Sequence, residues 1–323
     1  MEYSLVKCPC CGSLGQTVKY QERLDIYGND AEIGICLNCT ALVNIFPLLS
    51  AIEDDDYIEI QRVSSAHTYQ VSEDVLLDAQ KKANQLLGVV DFALNYLGDN
   101  PRLSFCDFGA GYGYLAAAGA LRFQKSYAVE INTNAIKQLL PHYKNNQNIN
   151  VIESISELDL NSIDLMVLWH TVEHLVDAQD VLKNIYEYIK PGGAIMFQCP
   201  MFKSDYVVFS HYFFLNEFSS KILCELVGFE SLQCWFAREE EFITCLARKP
   251  LGKALNYSIT RSSAFLNSPE VISLNRKLEE AEANIKLLLK NNNNIEFEIS
   301  QMKKTLSWKV TRPLRLIRRF IRQ

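Results

Sequence analysis

Apolar residues recur along this chain in two rhythms. Between residues 101 and 249 the short apolar runs "LSFCDFG", "KSYAVEI", "NVIES", "IDLMVLW" and "GAIMFQC" alternate with amphipathic stretches. Short runs bounded by turn residues predict buried strands, and their alternation with helices predicts an α/β domain with a mostly parallel sheet and helices on both faces. Ahead of them, "SEDVLLDAQKKANQLLGVVDFALNYLG" carries apolar residues at helical spacing, with Ser72 placed to cap its start and Gly98 to stop it. From Val271 the rhythm changes to heptads. One series is Val271, Leu278, Ile285, Asn292, Ile299 and Leu306, and the other is Leu274, Ala281, Leu288, Ile295 and Met302. This predicts a coiled coil, in which an amide at core position Asn292 fixes register and favours a homodimer. Residues 1–50 differ again, being rich in Cys, Gly and Asn with short alternating strands. The chain thus divides into a cysteine-rich module at 1–50, a connecting and helical segment at 51–100, an α/β domain at 101–249, a linker at 250–270, a coiled coil at 271–306 and a basic amphipathic helix at 307–323.

Composition narrows the class. A chain of 323 residues, 48% hydrophobic and 22% charged, is expected to form about two soluble globular domains. No run approaches the ~18–20 apolar residues of a membrane-spanning helix. The start "MEYSLVKCPCCG" lacks the basic and apolar regions of a signal peptide. Ten cysteines without an export signal point to a reducing cytoplasm, where metal binding outranks disulfide formation.

The most informative stretch is "LSFCDFGAGYGYLAAAGAL". A strand runs into Asp107, then Gly109, Gly111 and Gly113, then an alanine-rich helix. Glycines permit a tight turn and close backbone approach to a ligand, and a helix start offers unpaired N–H groups. The D-x-G-x-G-x-G spacing differs from the usual dinucleotide fingerprint. Seventeen residues after Gly113, Glu130 ends the next strand, where a carboxylate can accept hydrogen bonds from two ribose hydroxyls.

Taken together, "DFGAGYG", "VEIN", "IDLMVLWHTVEHL" and "YIKPGGAIMFQCP" resemble the class I S-adenosylmethionine-dependent methyltransferases over roughly residues 75–249. The resemblance implies a Rossmann-like methyltransferase domain that binds S-adenosylmethionine. Asp107, Gly109, Gly111 and Gly113 would hold the methionine end and Glu130 the ribose, with Ile131, Ile155 and Trp169 completing the cofactor set. The third strand departs from the common pattern, offering Ser154 to Ser156 where an acidic residue often meets the adenine.

Methyl transfer requires alignment of a nucleophile with the methyl group, and a base where the nucleophile carries a proton. Three histidines are candidates for catalysis. His170 falls at the end of the fourth strand, where ligands of open α/β sheets bind. Glu173 and His174 follow on one face of a short helical turn. His211 lies in "FSHYFFLNEFSSKILCELVGFE", which resembles the segment lying over the active site in small-molecule and sugar methyltransferases. In the sugar C-methyltransferases a Glu-His pair occupies that place. Here Ser210 precedes His211, so O-methylation is favoured over C-methylation.

Cys8-x-x-Cys11 and Cys36-x-x-Cys39 supply four thiolates at the spacing of a structural zinc ribbon. Cys10 reads as a bystander, and Cys106, Cys199, Cys224, Cys234 and Cys245 as core. A zinc module ahead of this domain again resembles the sugar C-methyltransferases, although the likeness ends near residue 250.

The net charge is −6, yet residues 303–323 carry eight Lys or Arg and no acid. Beyond Pro313 the apolar Leu314, Ile317, Phe320 and Ile321 oppose Arg315, Arg318, Arg319 and Arg322. A basic amphipathic helix of this kind, with Trp308 upstream, suits an anionic membrane surface. A partner protein is the next alternative, and nucleic acid is not expected. "LSWKVTRPLRLIRR" also resembles the ending of bacterial enzymes that build surface polysaccharides. The expectation is a methyltransferase acting on a sugar, nucleotide-linked or on a lipid-linked glycan, cytoplasmic and peripheral at the inner face of the cell membrane. The alternatives are a membrane-associated scaffold with a non-catalytic methyltransferase domain, and a methyltransferase of a lipid or quinone head group.

Overall fold

Near-continuous apolar runs demand burial on both faces, and the chain satisfies them in one central sheet. In the computed structural model the described residues are 3–4, 6–25, 27–28, 30–45, 69–98, 103–237 and 241–252. The sheet's strands are β5 (Ser104–Phe108), β6 (Lys125–Val129), β7 (Ile149–Ile152), β8 (Ile163–Trp169), β9 (Ile189–Pro200), β11 (Glu230–Ala237) and β12 (Phe242–Arg248). Their order is β11-β12-β9-β8-β5-β6-β7. Strands β5 to β9 pair in parallel, and the hairpin β11–β12 closes one side antiparallel to β9. That hairpin lies beyond the five strands that the hydrophobic pattern predicts.

Chain order reverses at β5: β6 and β7 extend the sheet to one side, β8 and β9 to the other. A crevice forms at such a switch point, outside the carboxyl ends of the strands. Helix α1 (Glu73–Leu97) covers one face, packing Val90, Ala93, Leu94 and Leu97 against Phe105, Leu165, Val167 and Met196. Its limits follow the sequence signals. The Ser72 side chain accepts the Val75 N–H, and Gly98 ends the helix with φ 69°, donating its N–H to Leu94. Short helices α2 (Tyr114–Gly119) and α3 (Asn134–Leu139) follow β5 and β6. Helices α4 (Ala178–Tyr188) and α5 (Glu217–Val227) contribute Leu182, Ile185, Leu223 and Cys224 to the core that includes Met166, Leu168, Ile195 and Phe197.

The amino-terminal residues build a second, antiparallel sheet ordered β1-β2-β3-β4-β10. Strands β1 (Tyr3–Ser4), β2 (Thr17–Leu24), β3 (Asp30–Cys36) and β4 (Leu42–Asn44) come from the cysteine-rich segment. The fifth, β10 (Phe213–Phe214), comes from the segment between β9 and α5, pairing Phe213 with Val43 and Phe214 with Leu42. The described residues all fall within one compact unit, residues 1–259. The expected coiled coil at 271–306 and basic helix at 307–323, and most of the linker at 250–270, lie outside the described residues. Among the described residues no helix is long and apolar enough to cross a membrane.

Cys106, Cys199, Cys224 and Cys245 are buried as expected. Cys234 packs against the same core from a half-buried position. It lies on β11, an edge strand whose outer face has no further strand against it, with its sulfur 3.2 Å from that of Cys245.

Candidate functional site

Parallel strands carry their carboxyl ends to one edge of the sheet, and the residues expected to bind a cofactor gather there. Asp107 is in the last turn of β5, Glu130 just past β6, Ile155 just past β7 and Trp169 at the end of β8. Between Asp107 and α2 the chain turns through Gly109, Gly111 and Gly113, all at positive φ. Two of these glycines are also required by close packing. A Cβ on Gly109 would lie 2.5 Å from the Thr171 methyl, and one on Gly111 would lie 2.8 Å from the Tyr69 ring.

Both carboxylates are buried and held by backbone. Asp107 accepts the Ala116 N–H at 3.0 Å. Burial, eased by that bond and reinforced by Glu130, pushes its carboxyl up to about 7. Glu130 accepts the Gly111 N–H at 2.9 Å and the Asn132 N–H at 3.2 Å. A carboxylate only accepts and has about four lone-pair sites, the chemistry that binds a vicinal diol. Ile131 and Trp169 are half-buried, and Ile155 is buried in a turn capped by Ser154. Carboxylates at the ends of two adjacent strands and a turn with three glycines suit S-adenosylmethionine.

Tyr69 was not singled out by the sequence. It sits on Gly111, edge-on to Tyr112 at 5.0 Å between ring centres. Burial, then the charges of Glu130 and Asp107, push its hydroxyl up to about 12. A lone tyrosine three residues before a helix cap carries no periodic or motif signal.

The histidine candidates surround one carboxylate. His170 follows β8 in a left-handed conformation, φ 54°, with its N–H donated to Gln198. Such a backbone is strained for a non-glycine residue and clusters at functional sites. Its Nδ1 lies 3.7 Å from Glu173 Oε1. Glu173 and His174 lie on the single turn Val172–His174, and the Glu173 carbonyl accepts the Tyr212 N–H, which brings His211 alongside. The His174 and His211 rings are 4.8 Å apart. Nδ1 of His174 bonds the Ser210 carbonyl at 2.7 Å and Nδ1 of His211 the Tyr206 carbonyl at 2.8 Å. A carbonyl only accepts, so both rings carry their proton on Nδ1. Burial pushes the His211 imidazole below its ordinary value. Burial works to raise the Glu173 carboxyl, but His170 and the charges of His174 and His211 outweigh it and hold the group below its usual range. Glu173, 37 residues before Ser210, thus brings a carboxylate within 4.8 Å of a His211 ring nitrogen. Tyr206 and Phe242, in ring contact at 5.3 Å, close the aromatic side, and Phe242 also meets His170.

The four cysteines form a separate, closed cluster. Cys8 and Cys36 begin matching knuckles: Gly12 N–H bonds Cys8 O, and Thr40 N–H bonds Cys36 O. The Cys8–Cys39 and Cys11–Cys36 sulfurs are 3.6 Å apart. Four sulfurs at about 2.3 Å around zinc would be about 3.8 Å apart, whereas a disulfide needs about 2.0 Å. The donor set fits structural zinc. Cys10 is outside this four-sulfur set and donates to the Ser219 carbonyl at 3.3 Å.

Residues 79–238 match the family described as "Methyltransferase domain". A ubiquinone biosynthesis O-methyltransferase of Rickettsia prowazekii (strain Madrid E) is 29% identical over 102 residues, 31% of this chain and 40% of the relative. The chain thus spans about two fifths of the length of that curated relative. Among solved structures, an Aquifex aeolicus SAM-dependent methyltransferase aligns with TM-score 0.42 at 15% identity, covering 49% of this chain and 88% of its own. Haemonchus contortus phosphoethanolamine N-methyltransferase 2, solved with S-adenosyl-L-methionine, aligns with TM-score 0.42 at 16% identity, covering 52% of each chain.

Proposed function

We propose, from the S-adenosylmethionine-dependent methyltransferase domain that residues 79–238 carry, that this chain methylates a hydroxyl group of a sugar, on a nucleotide or on a lipid-linked glycan. The observation that carries the reading is the shared edge. Glu130 and Asp107 stand at the ends of β6 and β5, while His170 and Glu173 stand beyond β8, against the same glycine turn through Thr171.

In this reading Glu130 binds the ribose hydroxyls, and Asp107 with the glycine turn receives the amino-acid end. When bound, S-adenosylmethionine supplies an electrophilic methyl: one C–O bond forms, the C–S bond breaks, and its electron pair stays on sulfur as a neutral thioether. The acceptor's proton goes to Nε2 of His170, because Nδ1 of that ring is turned to Glu173. The buried Glu173 carboxylate stabilises the imidazolium that forms. His170 is about two-fifths exposed and returns the proton to solvent. Tyr69, Tyr206 and Phe242 keep water from the reacting atoms.

The four-cysteine module is the support for a sugar acceptor, through the likeness of that arrangement to sugar methyltransferases. Zinc there would be structural. The coiled coil would pair two chains, and the basic helix would hold them at an anionic inner leaflet. A second reading has a phenolic head group, such as that of a quinone, as acceptor. The Rickettsia relative and the aromatic walls of the site favour it.

The test is incubation with methyl-labelled S-adenosylmethionine and separate pools of nucleotide sugars, lipid-linked glycans and quinone precursors, followed by mass. Label on a sugar oxygen is the expected result. Label on a phenol moves the assignment to the second reading, and cofactor binding with no transfer to any pool moves it to a non-catalytic scaffold.

A further inference from the structure

The reaction above uses one oxygen of Glu173 and one histidine, leaving two more imidazoles and an oxygen beside them. Candidate ligand atoms of Glu173, His174 and His211 all lie within 4.8 Å of one another. Two donors on one ion are about 3.4 Å apart when each bond is about 2.1 Å, so rotamer adjustment of about 1 Å would close the set. Glu173 is 1% exposed, and its Oε2 has no hydrogen-bond partner among the described residues. A buried carboxyl oxygen without a donor is a position that a cation would satisfy.

We propose that Glu173, His174 and His211 hold a divalent first-row transition-metal ion that binds the acceptor's oxygen. The two rings are oriented for this. Each donates its Nδ1–H to a backbone carbonyl, Ser210 for His174 and Tyr206 for His211. That is the outer bond that orients a metal-binding imidazole and makes Nε2 its ligand atom. Two imidazoles and one carboxylate suit Mn²⁺, Fe²⁺, Co²⁺ or Zn²⁺, whereas Mg²⁺ and Ca²⁺ prefer all-oxygen sets. Three protein ligands leave coordination positions open, unlike the closed four-cysteine cluster. An acceptor with two adjacent oxygens, a sugar diol or a catechol, could fill two of them. The ion would lower the hydroxyl's pKa, and His170, on the other side of Glu173, would take the proton. The acceptor's part in this inference rests on the methyl-transfer reading; the ion's binding does not.

The test uses the full chain with zinc in its four-cysteine site and no S-adenosylmethionine or acceptor. Mn²⁺ is titrated and its unbound fraction read by electron paramagnetic resonance. The expected result is one Mn²⁺ per chain at micromolar concentration, with binding weakened at least roughly tenfold in Glu173→Gln and His211→Ala. Because Glu173 is buried, His174→Ala, at a half-buried position, serves as the variant whose folding is least at risk. Circular dichroism and zinc content establish that each variant is folded. Absence of Mn²⁺ binding by the wild type, or equal binding by the wild type and folded variants, would overturn the inference. Calorimetry with S-adenosylmethionine separates the two readings, since intact cofactor binding without Mn²⁺ binding removes only the metal site.

Discussion

Asn44, at the end of β4, and His211, just ahead of β10, are joined: the Asn44 side-chain amide donates to the His211 carbonyl at 3.2 Å and to the Val208 carbonyl at the same distance. Its backbone N–H also donates to Tyr212 at 2.8 Å. The strand that ends near the cysteine cluster therefore positions the backbone of a candidate site residue.

Asn44→Ala removes a buried donor and leaves two carbonyls short of a partner. A cost of about 2 kcal/mol is expected, lowering the melting midpoint by roughly 4–8 °C. Scanning calorimetry measures this, and an unchanged midpoint would show that the link carries no stability.

Stripping the four-cysteine site with a chelator should act through the same link. Asn216 also reaches the knuckle, its amide bonded to Thr40 O at 3.1 Å. Loss of the clamp is expected to shift the 206–216 segment and cut acceptor turnover by roughly a hundredfold. Cofactor affinity, which under the proposed function rests on Asp107 and Glu130, should change little. Parallel loss of both would contradict the division.

Asp107 makes a pH prediction. Its folded carboxyl stands at about 7 against an ordinary 3.8, so the folded state binds the proton more tightly. Its contribution to stability is full below about pH 4 and is lost as pH rises through about 7. A cationic group bound to Asp107 favours the ionised form, so cofactor binding should release a proton at about pH 6 and little at about pH 8. Calorimetry in buffers of different ionisation enthalpy reads the release, which Asp107→Asn should abolish.

His211 has the opposite sense. Burial lowers its pKa below the ordinary 6.5, so the unfolded chain binds the proton more tightly. Its contribution is full above about pH 6.5 and is lost as pH falls through the folded value. His211→Asn should flatten that acid limb in urea unfolding, and a limb unchanged by the substitution would assign the loss to another group.

Much of the cofactor side was legible in the sequence because its requirements are local. A glycine turn needs residues that tolerate positive φ, a helix needs Ser72 and Gly98 at its ends, and a four-thiolate cluster needs its spacing. The acceptor side was legible only in part. His170, His174 and His211 stood out as residue types, but Glu173 is joined to Tyr212 by a backbone bond no motif encodes. β10 is two residues long and pairs with a strand about 170 positions away, so no periodicity announces it. Tyr69 owes its place to the space above Gly111, a tertiary fact.

The most direct measurement is calorimetric titration of S-adenosylmethionine into the wild type and Glu130→Ala. One site per chain in the wild type is expected. Loss of two charge-assisted bonds should weaken binding by about 3 kcal/mol or more, roughly a hundredfold. Equal affinity in the two proteins, with both folded, would contradict the assignment of this crevice as the cofactor site.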